Sequence, residues 1–343
     1  MISFNNDYSE GAHPRILQYL LKYNLEQNDG YGEDIHSSRA KELIRNRLGT
    51  NEVDIHLIPG GTQTNLIVIS SFLRPHQAVI AADTAHINVH ETGAIEATGH
   101  KVIALPCKEG KLSPTEIRAA LEYHESEHMV QPKLVYLSNS TELGTIYSKA
   151  ELTAIRELCN EKGLYLYLDG ARLASAISCP ENDLSLQDIV RLTDAFYIGG
   201  TKNGAMLGEA LVIGKAELKE DFRYYIKQRG ALMAKGFIIG LQFEALFEDN
   251  LYFELSENAN SMARRLAEAF TECGFSFYVP VYTNQLFPIL PDRVIDVLSK
   301  SFRFQKQVRV DEVHCAVRFV TSWATTEESV NELRKALKGV QRC

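Results

Sequence analysis

Through roughly the first 215 residues, short apolar runs alternate with stretches of helical period, and this alternation constrains the fold more than any other feature. Runs 53–58, 78–82, 101–105, 134–137, 165–168, 195–198 and 210–213 read as strands. Stretches 14–24, 37–48, 62–73, 114–128 and 149–162 read as helices, with another between 82 and 101 starting near Asn88. In the first, Ile16, Leu17, Leu20 and Leu21 form an apolar stripe. Ser113, Pro114 and Glu116 mark the clearest start, a capping box with proline at the first helical position. Such alternation predicts an α/β fold: a mostly parallel sheet between helices.

After Gly214 the pattern changes. Residues 215–250 read as long and helical, and 251–273 as a second long helix. Strands are expected at 275–279, 286–290, 308–310 and 316–321, and helices at 292–301 and 326–337. The expected organisation is a large domain over 1–250, including the N-terminal segment, and a smaller α+β domain over 251–343.

Composition excludes some roles. The net charge of −8, with both signs interspersed, disfavours a nucleic-acid surface. The six cysteines, Cys107, Cys159, Cys179, Cys273, Cys315 and Cys343, form no CxxC pair and read as reduced thiols. The N-terminus MISFNNDYSEG has no basic or apolar leader region, and no apolar run approaches membrane-span length. The cytoplasm is the expected compartment.

Three apolar runs end at polar residues of chemical interest. Run 165–168 leads into Asp169-Gly170-Ala171-Arg172, run 195–198 into Gly199-Gly200-Thr201-Lys202, and run 210–213 closes at Gly214. A carboxylate at one strand end and a lysine at the next suit pyridoxal 5'-phosphate (PLP). The lysine would carry the aldehyde, and the aspartate would pair with the pyridine nitrogen. Read alone, Asp169 equally suits a helix cap and Lys202 a solvated loop. Glycines at 199 and 200 permit close backbone approach, and strand carboxyl ends are where ligands sit in α/β sheets.

With those motifs in view, the chain resembles the PLP-dependent β-eliminating lyase and threonine aldolase family, of the aspartate aminotransferase fold. DGAR (169–172) and GGTKNG (199–204) carry the resemblance. NND (5–7), DGYGED (29–34), PGGTQTN (59–65), DTAHINVHETGA (83–94) and AVRFVTSW (316–323) follow the family order across nearly the whole chain. The resemblance implies PLP on Lys202, Asp169 on its ring nitrogen, Arg172 near its ring oxygen and the substrate, and Thr201 beside it. It implies phosphate held by Gly60, Gly61 and Thr62, His86 stacked on the ring, and Arg318 on the substrate carboxylate. Lys235 lies where the family often has a phosphate-binding arginine. The implied reaction is Cα–Cβ cleavage of a β-hydroxy-α-amino acid such as L-threonine or L-allo-threonine, by a homodimer or homotetramer with shared active sites.

Two departures fall on the substrate side. Glu142 replaces a family histidine, and Asn6 replaces a serine. Glu142 or His86 is then the candidate base for the β-hydroxyl. β-Elimination or racemisation on the same cofactor is an alternative. A more distant one is a zinc hydrolase, because His124-Glu125-Ser126-Glu127-His128 fits H-E-x-x-H on the expected helix 114–128. His86 and His90 also have chelating spacing, though no metal is expected.

Overall fold

A seven-stranded sheet forms the centre of the computed structural model, which describes residues 1–340. Cys343 lies outside the described residues. The strand order is Asp54–Ile58, Glu209–Ile213, Ala195–Gly199, Tyr165–Asp169, Gln131–Ser138, Gln77–Ala82, Val102–Leu105. Five of its strands, from Ala195–Gly199 to Val102–Leu105, pair in parallel. Strand Glu209–Ile213 runs antiparallel to both neighbours, so Glu209 lies opposite both Gly199 and Ile58. The fold is therefore α/β with a mostly parallel sheet. Its strands are apolar on both faces, as in Gln77–Ala82, where every residue is buried.

Helix caps follow from sequence. Ser113 with Glu116, Ser148 with Glu151 and Ser185 with Asp188 each form a capping box. Gly49 and Gly163 close their helices in the left-handed region, at φ of 68° and 64°.

A second sheet lies in the C-terminal part. Strand His314–Val320 pairs antiparallel with Ile289–Pro291, Gln305–Arg309 and Gln285–Leu286. Helices Leu251–Glu272 and Glu327–Val340 cover it with a core that includes Leu266, Phe270, Val317, Phe319 and Leu333. The N-terminal segment reaches the C-terminal part. Strand Ile2–Ser3 pairs with Phe302–Arg303, and Phe4 joins the C-terminal core. Helix Leu251–Glu272 contributes Tyr252 and Leu255 to the large core and Met262 onward to the small one.

Other departures have local causes. The long helix expected over 215–250 is broken into Phe222–Gln228 and Phe237–Phe247, because Gly230 turns left-handed at φ 72°. Between 82 and 101 there is one turn, His86–Val89, and a 3-10 turn, Glu96–Thr98; Thr92 and Gly93, both at positive φ, separate them. The run 286–290 is split at Pro288, which has no N–H to donate. Stretch 275–279 makes only one bridge, Phe277 to Pro288. Helix Pro114–Tyr123 stops short of the H-E-x-x-H motif, and the His124 imidazole Nδ1 sits 2.8 Å from the Ala120 carbonyl. His124 and His128 do not share a helical face, which removes the basis of the zinc reading. No described helix is long and apolar enough to cross a membrane.

Candidate active site

The loops that follow strands Asp54–Ile58, Gln77–Ala82, Gln131–Ser138, Tyr165–Asp169 and Ala195–Gly199 open on one edge of the large sheet. With Arg318 of the small sheet they line a cavity of about 880 Å³, the size of a cofactor-and-substrate site. Gly60, Gly61, Thr62, His86, His90, Glu142, Asp169, Arg172, Thr201, Lys202 and Arg318 all line it.

Asp169 ends its strand inside a set of donors. Its Oδ1 accepts from the Tyr197 hydroxyl at 2.5 Å and the Ala171 N–H at 3.0 Å. Its Oδ2 accepts from the Tyr136 hydroxyl at 2.6 Å and Asn65 Nδ2 at 3.0 Å. Burial acts to raise this carboxyl, but the charge of His86 and these hydrogen bonds outweigh it and hold it below its ordinary value. It therefore stays an anion in the cavity.

Lys202 lies in the loop joining Ala195–Gly199 to Glu209–Ile213. The loop must be tight: a Cβ on Gly199 would stand 2.5 Å from the Ala171 carbonyl oxygen, and one on Gly200 2.6 Å from that of Gly208. Burial first, and then the Arg172 guanidinium, lower the affinity of the Lys202 amine for its proton. Among the described residues it has no hydrogen-bonding partner.

Gly60 opens helix Gly61–Phe72 with no side-chain cap, and the first backbone bond runs from the Thr64 N–H to the Gly60 carbonyl. The N–H groups of Gly61, Thr62 and Gln63 have no acceptor among the described residues. A Cβ on Gly60 would meet nothing within 4 Å, so this end of the helix is open to the cavity. Free amides at the positive end of a helix dipole suit a phosphate.

The His86 ring Nδ1 is 2.8 Å from Glu91 Oε1, which also accepts from Asn65 Nδ2. Asn65 thus bridges Glu91 to Asp169. Glu142 Oε1 accepts from the His86 backbone N–H at 2.9 Å and the Ser138 hydroxyl at 2.7 Å. Burial raises the Glu142 carboxyl.

Arg318 alternates with the core residues Val317 and Phe319, so its guanidinium turns toward the cavity. Its Nε and Nη2 donate to Gln285 Oε1 at 3.0 and 2.7 Å, and its Nη1 to Gln305 Oε1 at 2.9 Å. No carboxylate pairs with it among the described residues. Burial and the nearby Arg172 lower its pKa to about 10. A half-buried cation held by neutral amides is prepared for an anionic ligand.

Two expected residues lie elsewhere. Asn6 caps its own turn, with Oδ1 accepting from the Tyr8 N–H at 3.0 Å and the Ser9 hydroxyl at 2.9 Å. Its neighbour Asp7 is the buried one: it takes Arg172 Nε at 2.7 Å and Nη2 at 3.0 Å, and Asn284 Nδ2 at 2.9 Å. Lys235 is exposed in the turn before helix Phe237–Phe247 and does not line the cavity. Asp7, which holds Arg172, and Glu209, which lines the cavity, are carboxylates that sequence reading passed over. The one available signal for Glu209 was a charged residue opening an otherwise apolar strand.

A family model described as beta-eliminating lyase matches residues 12–292. The low specificity L-threonine aldolase of Pseudomonas aeruginosa is 31% identical over 342 residues, or 98% of this chain and 96% of that protein. A solved threonine aldolase structure from Leishmania major is 52% identical, with a TM-score of 0.98 over 99% of this chain and 100% of that one. A single mutant of Thermus thermophilus aspartate aminotransferase, 18% identical with a TM-score of 0.74 over 100% of this chain and 91% of that one, shares the fold.

Proposed function

This chain belongs to the beta-eliminating lyase family, and from that premise we propose how its residues divide the work of Cα–Cβ cleavage. The protein is a PLP-dependent lyase acting on small β-hydroxy-α-amino acids of the threonine type, which it converts to glycine and an aldehyde. PLP supplies the electron sink for the bond that breaks.

The chain supplies the rest. Lys202 Nζ would be the amine that holds the cofactor. The free amides after Gly60, with the Thr62 hydroxyl, would hold its phosphate. The Asp169 carboxylate would accept from its ring N–H, and His86, kept in place by Glu91, would bound the cofactor's place in the cavity. Arg172, clamped by Asp7, and Thr201 line the remaining edge. Arg318 grips the substrate carboxylate in a two-bond fork. Glu142 accepts the β-hydroxyl proton, because its Oε1 is held by His86 and Ser138 and its Oε2 carries no hydrogen bond among the described residues.

The observation that carries this reading is Lys202: a half-buried amine with no hydrogen-bonding partner among the described residues, in the cavity that also holds Asp169 and an uncapped helix start. The test is borohydride reduction of the PLP-loaded protein followed by peptide mapping. Phosphopyridoxyl label on Lys202 is expected; label on another lysine, or none, overturns the assignment.

The assembly we propose is a homodimer or homotetramer. Its support is the apolar surface of the first helices: Leu21 is 80% exposed, Leu25 92% and Ile35 72%. The Tyr23 and His36 rings, 4.6 Å apart, bring these stretches together. Exposed apolar groups of this kind mark contact surfaces. The cytoplasm is the proposed compartment, on the scattered cysteines, of which Cys107, Cys159, Cys179 and Cys315 are free thiols.

A further inference from the structure

Arg172 and Arg318 both line the cavity, and the same pair of nitrogens is covered differently on each. Arg172 donates from Nε and Nη2 to the carboxylate oxygens of Asp7, at 2.7 and 3.0 Å, so its charge is balanced inside the protein. Arg318 donates from Nε and Nη2 to a single amide oxygen, Gln285 Oε1, at 3.0 and 2.7 Å, and from Nη1 to Gln305 Oε1 at 2.9 Å. The orientation of both amides follows from chemistry: a guanidinium only donates, so the amide oxygen must face it. Gln285 is held from its other end as well, where Nε2 donates to the Thr141 carbonyl at 3.2 Å. Strand pairing sets the arrangement. Gln305 stands opposite Arg318 in the antiparallel register, and Gln285 stands opposite Val320. Gln285 is buried, Gln305 is exposed, and both line the cavity.

Resting on the assignment of Arg318 above, we propose that Gln285, together with Gln305, is a positioning residue for the substrate carboxylate: it fixes the guanidinium plane while leaving its charge uncompensated, so that the remaining Nη1 and Nη2 N–H bonds meet the carboxylate. The hydrogen bonds to Gln285 and Gln305 engage the Nε N–H, one N–H of Nη2 and one of Nη1, which leaves one on each terminal nitrogen. A carboxylate accepts two parallel N–H bonds of this kind. An amide in the Nε–Nη2 fork satisfies those donors without cancelling the cation. A carboxylate there would form the pair that Asp7 forms with Arg172, and Arg318 would have no net charge to offer a ligand. Glutamine rather than glutamate at 285 is therefore what separates an arginine that binds from an arginine that is already bound.

The test uses PLP-loaded protein: wild type, Gln285→Glu, Gln305→Glu and, as reference, Arg318→Ala. Steady-state kinetics with L-threonine are measured beside inhibition by L-threoninol, the amino alcohol in which a hydroxymethyl group replaces the carboxylate. Gln285→Glu is nearly isosteric and is expected to raise KM about tenfold or more, with kcat little changed and the inhibition constant of threoninol unchanged. Gln305→Glu, at an exposed position, should raise KM in the same way by a smaller factor, because solvent screens the new charge. An unchanged KM in folded Gln285→Glu overturns the proposal. So does a parallel loss of affinity for threonine and threoninol, which would show a general disturbance of the cavity. Far-ultraviolet circular dichroism checks folding; should Gln285→Glu not fold, Gln305→Glu decides by the same criteria. Arg318→Ala with an unchanged KM refutes the role of Arg318 itself. A raised KM in Arg318→Ala beside an unchanged one in Gln285→Glu refutes only the positioning role, so the two failures are distinguishable.

Discussion

Arg318 shows what one side chain carries. Its strand neighbours are core, and its guanidinium rests on glutamine oxygens with no counter-ion among the described residues. Arg318→Ala removes charge-assisted hydrogen bonds of about 1.5–3 kcal/mol, so KM for the amino acid should rise roughly 10- to 150-fold with kcat little changed. Steady-state kinetics decide; an unchanged KM contradicts the role. Glu142→Gln tests the base. The raised Glu142 carboxyl is ionised only above its shifted value, so activity should fall as pH drops through that value, which burial sets above that of an ordinary glutamate. The variant should lose about 10²–10⁴ in kcat and with it the acid limb of the pH profile; a retained limb would assign it to another group. Strand-end residues such as Asp169 and Lys202 were legible because runs of apolar residues point to them. Asp7 and Glu209 were not. The first is fixed by Arg172, 165 positions away, and the second lies at a strand start that only the antiparallel register brings to the site.

Elements were legible where local chemistry decides them. The capping box at Ser113 and the left-handed glycines mark helix ends from sequence alone. The end of helix Pro114–Tyr123 was harder to see, because the polar stretch beyond it offers no face to bury and His124 bonds the last turn instead. Tertiary ties are invisible to periodicity. His36 links helix Ile35–Leu48 to Phe237–Phe247, with Nδ1 2.7 Å from Glu244 and Nε2 3.0 Å from Glu26. Burial opposes its charge, yet the two carboxylates prevail and its pKa is raised above 6.5. The sign follows: this tie stabilises fully below pH 6.5 and is lost as pH rises through the folded value. Urea midpoints should therefore fall on going from about pH 6 to about pH 8, and His36→Gln should flatten that trend. Equal slopes in the two proteins would contradict it.

At the scale of the whole molecule, the alternating first half predicted the α/β sheet, whereas the docking of residues 2–4 onto the C-terminal part did not show in any local pattern. The stripe Ile16, Leu17, Leu20 and Leu21 reads as core, yet only Ile16 is buried. A surplus of apolar surface is what a contact between copies requires. The double variant Leu21→Glu, Leu25→Glu should sediment as a smaller species than wild type; unchanged sedimentation would place the interface elsewhere.

The most direct test of the central claim is product analysis with PLP-loaded protein and L-threonine or L-allo-threonine, with wild type beside Lys202→Ala. Glycine and acetaldehyde in equal amounts from wild type, and neither from the variant, are the predicted result. 2-Oxobutyrate and ammonia, or an amino acid inverted at Cα with no aldehyde released, would show that this cavity breaks a different bond.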